Sequence, residues 1–187
     1  MLFRSLITAL ALALIVPTVA RAQDSAPSAT ELRRGLAGSW SGALGYRDYQ
    51  SDRLFEIPVT TTIEVLPDGV TMIRRSLFDD GPDKPVWITT VSLDDPAAGT
   101  STTATFRAGQ SPGLSTETVR LSTWRDPAHW TVIYSETAED DDQPAEIRVT
   151  ETRDGDSLMS VKDVRPVGAD DSAWRFRNQT RLTRLDD

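Results

Sequence analysis

Apolar and polar residues alternate with a two-residue period along most of this chain. Residues 53–66 show it best: Phe55, Ile57, Val59, Ile63 and Val65 fall on one face, Glu56, Thr60, Thr62 and Glu64 on the other. Pro58 falls on the polar side, which predicts a bulge or an edge position. Pro67-Asp68-Gly69 is a tight turn into a strand over 70–78. Further strands are predicted over 86–93, 100–107, 116–124, 129–137, 145–152, 158–164 and 173–185, parted by turns such as Asp154-Gly155-Asp156. The first strand opens at Gly38-Ser39-Trp40. Ahead of it Thr30 offers an N-cap to a short helix over 31–37, with Leu32 and Leu36 on one face. The pattern predicts an all-β chain: an antiparallel up-and-down β-barrel of about 8–10 strands with a short N-terminal helix. Closing the meander removes both sheet edges.

The start of the chain has a different character. Met1-Leu2-Phe3-Arg4 is a basic n-region, residues 6–16 are apolar, and Ala20-Arg21-Ala22 fits an A-x-A cleavage site. A signal peptide over 1–22 is expected, followed by a flexible lead-in over 23–29 and one barrel domain over 30–187. No later stretch is apolar enough to span a bilayer. Without the two arginines of residues 1–22, the 20 basic residues fall to 18 against 28 acidic ones, a net charge of −10. That sign argues against nucleic acid or an anionic membrane as partner. The chain has no cysteine, so an exported domain must rely on a full-sized core rather than disulfides. The periplasm is the expected address, with secretion as the alternative.

A short helix, then Gly38-x-Trp40 opening the first strand, then a β-meander ending in a basic strand resembles the lipocalin and fatty-acid-binding group of calycin barrels, nearest to exported lipocalin-like proteins of bacteria. The resemblance implies that Trp40 closes the barrel floor and that an arginine from the last strand packs over it. Arg184 shares strand parity with Trp174, Phe176 and Leu182 and is the candidate, with Arg181 the other choice. Such a pair would be a cation–π contact. The Thr-Asp-Tyr element and the disulfide of typical lipocalins are missing. The resemblance implies a pocket but names no ligand.

Catalytic patterns fail on physical grounds. Gly109-Gln110-Ser111-Pro112-Gly113 matches the G-x-S-x-G elbow and is followed by Asp126 and His129. Pro112, however, has no N–H for an oxyanion hole, and the chain continues as a strand rather than a helix. His129 is the single histidine, which argues against a zinc site of nitrogen and sulfur ligands. The acidic runs at 79–83 and 139–142 lack EF-hand spacing. The chain is therefore expected to lack catalytic residues, metal and cofactor.

Alternation groups Arg75 with Thr71, Ile73 and Leu77, Glu151 with Ile147, Val149 and Arg153, and Trp130 with Val132 and Tyr134. Facing inward, they would give an aromatic cavity with a few polar groups, Arg75, Trp130, Tyr134 and Glu151, beside small residues such as Thr61, Thr71 and Ser160. The function expected is binding of a small, largely apolar ligand in the barrel. The alternative is a filled, non-catalytic envelope barrel acting through protein–protein contacts.

Overall fold

The computed structural model describes residues 26–48, 53–82 and 84–186. The expected export segment and residues 23–25 lie outside that range. A helix, α1 (Ala29–Arg34), precedes ten strands: β1 (Gly38–Asp48), β2 (Arg53–Val65), β3 (Thr71–Asp79), β4 (Pro85–Asp95), β5 (Thr100–Arg107), β6 (Gly113–Asp126), β7 (His129–Asp140), β8 (Gln143–Asp154), β9 (Ser157–Pro166) and β10 (Arg175–Arg184). A 3-10 turn, Asp171–Ala173, lies between the last two strands. Each strand pairs antiparallel with the next, and β10 returns to β1, closing the barrel.

The helix starts two residues earlier than propensity alone indicates. Ser28, not Thr30, is its N-cap, because Glu31 stands three residues on and completes a capping box with it. That shift draws Thr30 into the helix and turns Leu32, Arg33 and, beyond the Gly35 cap, Leu36 onto the barrel end.

Ladder registers fix which residues enter the barrel. Trp40 lies opposite Thr61 and Arg184, and Thr61 lies opposite Ser76. The alternation of β2 therefore sets the faces of its neighbours. Pro58 pairs with Ala43 without any bulge, in a stretch where β2 runs beyond the β2–β3 ladder, which begins at Val59 and Phe78. This is the edge situation that proline tolerates. In β10 a register shift between Phe176 and Asn178 reverses parity, so Trp174 does not share the inward face of Leu182. It lies instead between the Arg148 and Arg165 guanidinium groups, 4.3 and 4.6 Å from its ring centroid.

The core gathers at the end capped by α1. Leu32, Leu36, Trp40, Ile63, Trp130, Val132, Leu158 and Leu182 are all buried there. Trp40 donates its indole N–H to the Leu36 carbonyl at 2.8 Å, tying strand to helix. Arg184 stacks with its Cζ 4.4 Å from the Trp40 centroid and donates to the Ala37 and Gly35 carbonyls at 2.7 and 2.6 Å. Arg181 faces outward and pairs with Glu56. The seam between first and last strands is tight: a Cβ on Gly42 would fall 1.8 Å from the Arg181 carbonyl oxygen. Alanine there would force the two strands apart.

Trp40 is fully buried among side chains from both ends of the chain. Trp40→Ala is expected to cost about 3–5 kcal/mol of folding stability in denaturant titration. A loss under about 0.5 kcal/mol, as at a surface site, would contradict this account of the floor.

Candidate functional site

Above the packed floor the lumen is not filled. Two adjoining cavities of about 190 and 200 Å³ share Arg74, Thr90, Glu151 and Ser160 as walls. The first is largely apolar, with Val59, Phe78, Ile88, Leu158 and Leu182 around it. The second is the more polar of the two and is reached by Arg33, Ser101, Thr103, Glu117 and Tyr134, with Met72 and Val149 beside them.

The wall between them is an ion pair across the barrel. β3 and β8 stand five strands apart in either direction round the ring. From these opposite sides Arg74 donates from Nη2 to Glu151 Oε2 at 3.1 Å. Tyr134 donates its hydroxyl to the other Glu151 oxygen at 3.3 Å, and burial pushes that hydroxyl's pKa far up. Glu151 is only 4% exposed, so pairing is what makes its charge tolerable there.

A second buried pair closes the polar cavity from the helix side. Nη1 of Arg33 donates to both carboxylate oxygens of Asp94 at 2.6 and 2.7 Å, and Ser101 donates to the same carboxylate at 2.7 Å. The Arg33 guanidinium also lies 5.3 Å from the Tyr134 ring centroid. The interior polar groups therefore form one chain running from α1 to β3.

Two of the four residues expected in the cavity, Tyr134 and Glu151, meet there. Trp130, Tyr134 and Glu151 all point inward and are buried. Trp130 belongs to the floor, donating its N–H to the Pro127 carbonyl at 3.1 Å, while Tyr134 and Glu151 line the polar space. Arg75 does not join them. It projects from the outer face, half exposed, and pairs with Glu64 at 3.4 Å. Thr71 also faces out, bonded to the Asp68 turn. The reason is that both faces of β3 carry large apolar residues, Met72 and Phe78 inside, Ile73 and Leu77 outside. Alternation within β3 alone leaves its sign open, and the neighbouring register gives the inward place to Arg74.

The barrel wall has a break beside this cavity. The β6–β7 ladder runs from the turn to Thr118 opposite Ser135 and stops. Beyond that point residues 113–117 pair only with β5, and residues 136–140 only with β8. The diverging strands leave a cleft of about 510 Å³, with Thr116, Glu117, Ser135 and Glu136 on its lips and Arg165 and Trp174 outside. Glu117 lines both this cleft and the polar cavity. Burial pushes its carboxyl up to about 7, and repulsion from Glu136 adds to this.

The nucleophile-elbow pattern has no catalytic geometry. Ser111 lies in the hairpin between β5 and β6, whereas Asp126 and His129 flank the turn at the other end of β6. His129 bridges Asp126 at 2.6 Å and Asp154 at 3.3 Å, and its hydrogen bond holds the Asp126 carboxyl at about 2.

No known protein family matches the sequence, and no curated protein does. Among solved structures the fold resembles that of Rv2717c from M. tuberculosis, with a TM-score of 0.54 and 16% identity over 83% of this chain and 98% of that one. A protein with unknown function from the DUF3598 family of Nostoc punctiforme covers 86% of this chain and 100% of its own at 9% identity, with a TM-score of 0.27. The first likeness establishes shared fold.

Glu117 generates a stability prediction with a definite sign. Its folded pKa lies above the ordinary carboxyl value of 4.5, at about 7. Its neutral form is tolerated at low pH, so stability is lost as pH rises between those values. Glu117→Gln is expected to flatten that fall and to gain roughly 2–3 kcal/mol at about pH 8 in denaturant titrations. An unchanged slope between about pH 5 and about pH 8 would assign the effect to another group.

Proposed function

We propose that this protein is an exported, lipocalin-like binding module that holds a small amphiphile in its barrel, acting in the periplasm. The observation that carries the reading is the divided lumen, in which an apolar cavity and a polar one meet at the Arg74–Glu151 pair. Together they reach the lower end of the range of small-molecule sites, about 300–1,000 Å³. Convergent polar groups at one side and aliphatic and aromatic walls at the other are how such sites orient a ligand. The β6–β7 cleft supplies a route in from solvent. The sequence supports the location, through the apolar segment and the A-x-A site of residues 1–22. Among the described residues no helix is long and apolar enough to cross a membrane.

The uncharged fluorescent probe N-phenylnaphthylamine tests the reading. It is expected to bind the mature protein with enhanced emission, and Ser160→Phe, which fills the junction of the two cavities, to weaken binding about tenfold or more without unfolding. Trp87, Leu93, Phe106 and Leu114 are exposed apolar residues on strands β4 to β6 and offer the probe a competing surface. Equal affinity of the two proteins would place the probe on that surface and overturn the lumen reading.

A further inference from the structure

The polar cavity holds one more carboxyl group than it has cations to pair. Around it stand Arg33 of α1, Arg74 of β3, Asp94 of β4, Glu117 of β6, Tyr134 of β7 and Glu151 of β8, while β5 presents only Ser101 and Thr103. Arg33 is engaged by Asp94 and Arg74 by Glu151. The nearby charges do not redress the balance. Glu136 of β7 adds to the negative side, and Lys162 of β9 shares the Asp140 carboxylate with Arg177 of β10. No hydrogen bond or ion pair among the described residues reaches the Glu117 carboxylate. An inward carboxyl without a partner is costly unless a ligand supplies one.

Its position strengthens the point. Of the residues around the polar cavity, Glu117 alone also lines the outer cleft. That cleft carries Glu117, Glu136 and Glu146 against one cation, Arg165, which is already held by Glu146 at 2.6 Å and Asp171 at 2.7 Å. The chain as a whole has a net charge of −8. An acidic mouth on an acidic protein concentrates cations and repels anions.

We propose that the lumen selects amphiphiles bearing a protonated aliphatic amine, which enter between β6 and β7 and seat the ammonium on Glu117. The inference rests on the lumen being a binding site, as proposed above. The ammonium supplies three donors and a full charge to a carboxylate that lacks both, in a setting where water screens the pair poorly. The apolar body extends past the Arg74–Glu151 pair towards Phe78, Ile88 and Leu182. A ligand carboxylate would meet Glu117 and find both nearby arginines engaged. A neutral alcohol would gain a hydrogen bond without charge pairing.

The pairing also fixes a pH signature. The amine keeps its proton throughout the range below about pH 10. Glu117 must give up its own proton to pair. Amine affinity therefore levels off above about pH 7 and falls about tenfold per unit below it, while alcohol affinity stays flat.

Displacement of N-phenylnaphthylamine from the mature protein by octylamine, octanol and octanoate tests the inference. At about pH 8 octylamine is expected to bind about tenfold or more tighter than octanol, with octanoate weakest. At about pH 5.5 most of that advantage should disappear. Glu117→Gln should remove the amine's advantage and its pH dependence while leaving octanol affinity within about twofold. The wild-type pH profiles read the same pairing even if the variant folds poorly. Equal affinity of amine and alcohol at both pH values, or tightest binding of octanoate, would overturn the amine assignment and leave the lumen reading standing. Failure of the probe and all three displacers to bind would overturn both.

Discussion

The barrel depends on closing its first strand against its last. That closure joins residues some 140 positions apart, as between Trp40 and Arg184, and its loop entropy must be offset locally. Two features do this. Gly42 lets the β1 and β10 backbones approach more closely than any side chain would permit. Arg184 then covers the Trp40 ring while binding the carbonyls that end the helix, so strand, seam and plug are held by one guanidinium. Fixing the seam also fixes most inward positions, since the ladder registers are continuous round the ring apart from the shifts in the β9–β10 and β6–β7 ladders.

Ten strands enclose more space than these inward side chains fill. The floor consumes the large residues, and the strands above it present threonine and serine: Thr61, Ser76, Thr90, Ser92, Ser101, Thr103 and Ser160. The space that remains is bridged rather than packed. Two ion pairs, Arg33–Asp94 and Arg74–Glu151, span it at a desolvation cost that hydrophobic residues would avoid. Their geometry leaves room on both sides. A core built for stability alone would have closed it with leucine and phenylalanine.

Much of the fold was legible because β2 alternates without ambiguity, and because turn residues mark nearly every hairpin. Trp40 and Arg184 were readable from parity within two strands and from resemblance to a known barrel group. Arg74 was not, since β3 is apolar on both faces and a one-residue error moves every side chain across the wall. Trp174 was misplaced by the register shift at Phe176 and Asn178, which no local pattern announces. Arg33 and Asp94 are partners 61 positions apart, and neither shows in sequence as anything but an ordinary surface charge. Glu117 has the inward parity of its strand, but its isolation emerges only because the nearby cations, Arg33, Arg74 and Lys162, are held by other carboxylates.

The break between β6 and β7 has a mechanical meaning. Its lips are not loops: each is hydrogen-bonded along its far side, one to β5 and the other to β8. Widening the gap therefore needs no disordered flap and no melted strand. Two hairpins would pivot about the last shared rung, Thr118 opposite Ser135, as a zipper opens from its slider. Amide protons on the lips that point into the gap would exchange with solvent far faster than those of the same residues' outer neighbours. On the binding reading proposed above, passage into the lumen would then be governed by the shear stiffness of the sheet itself.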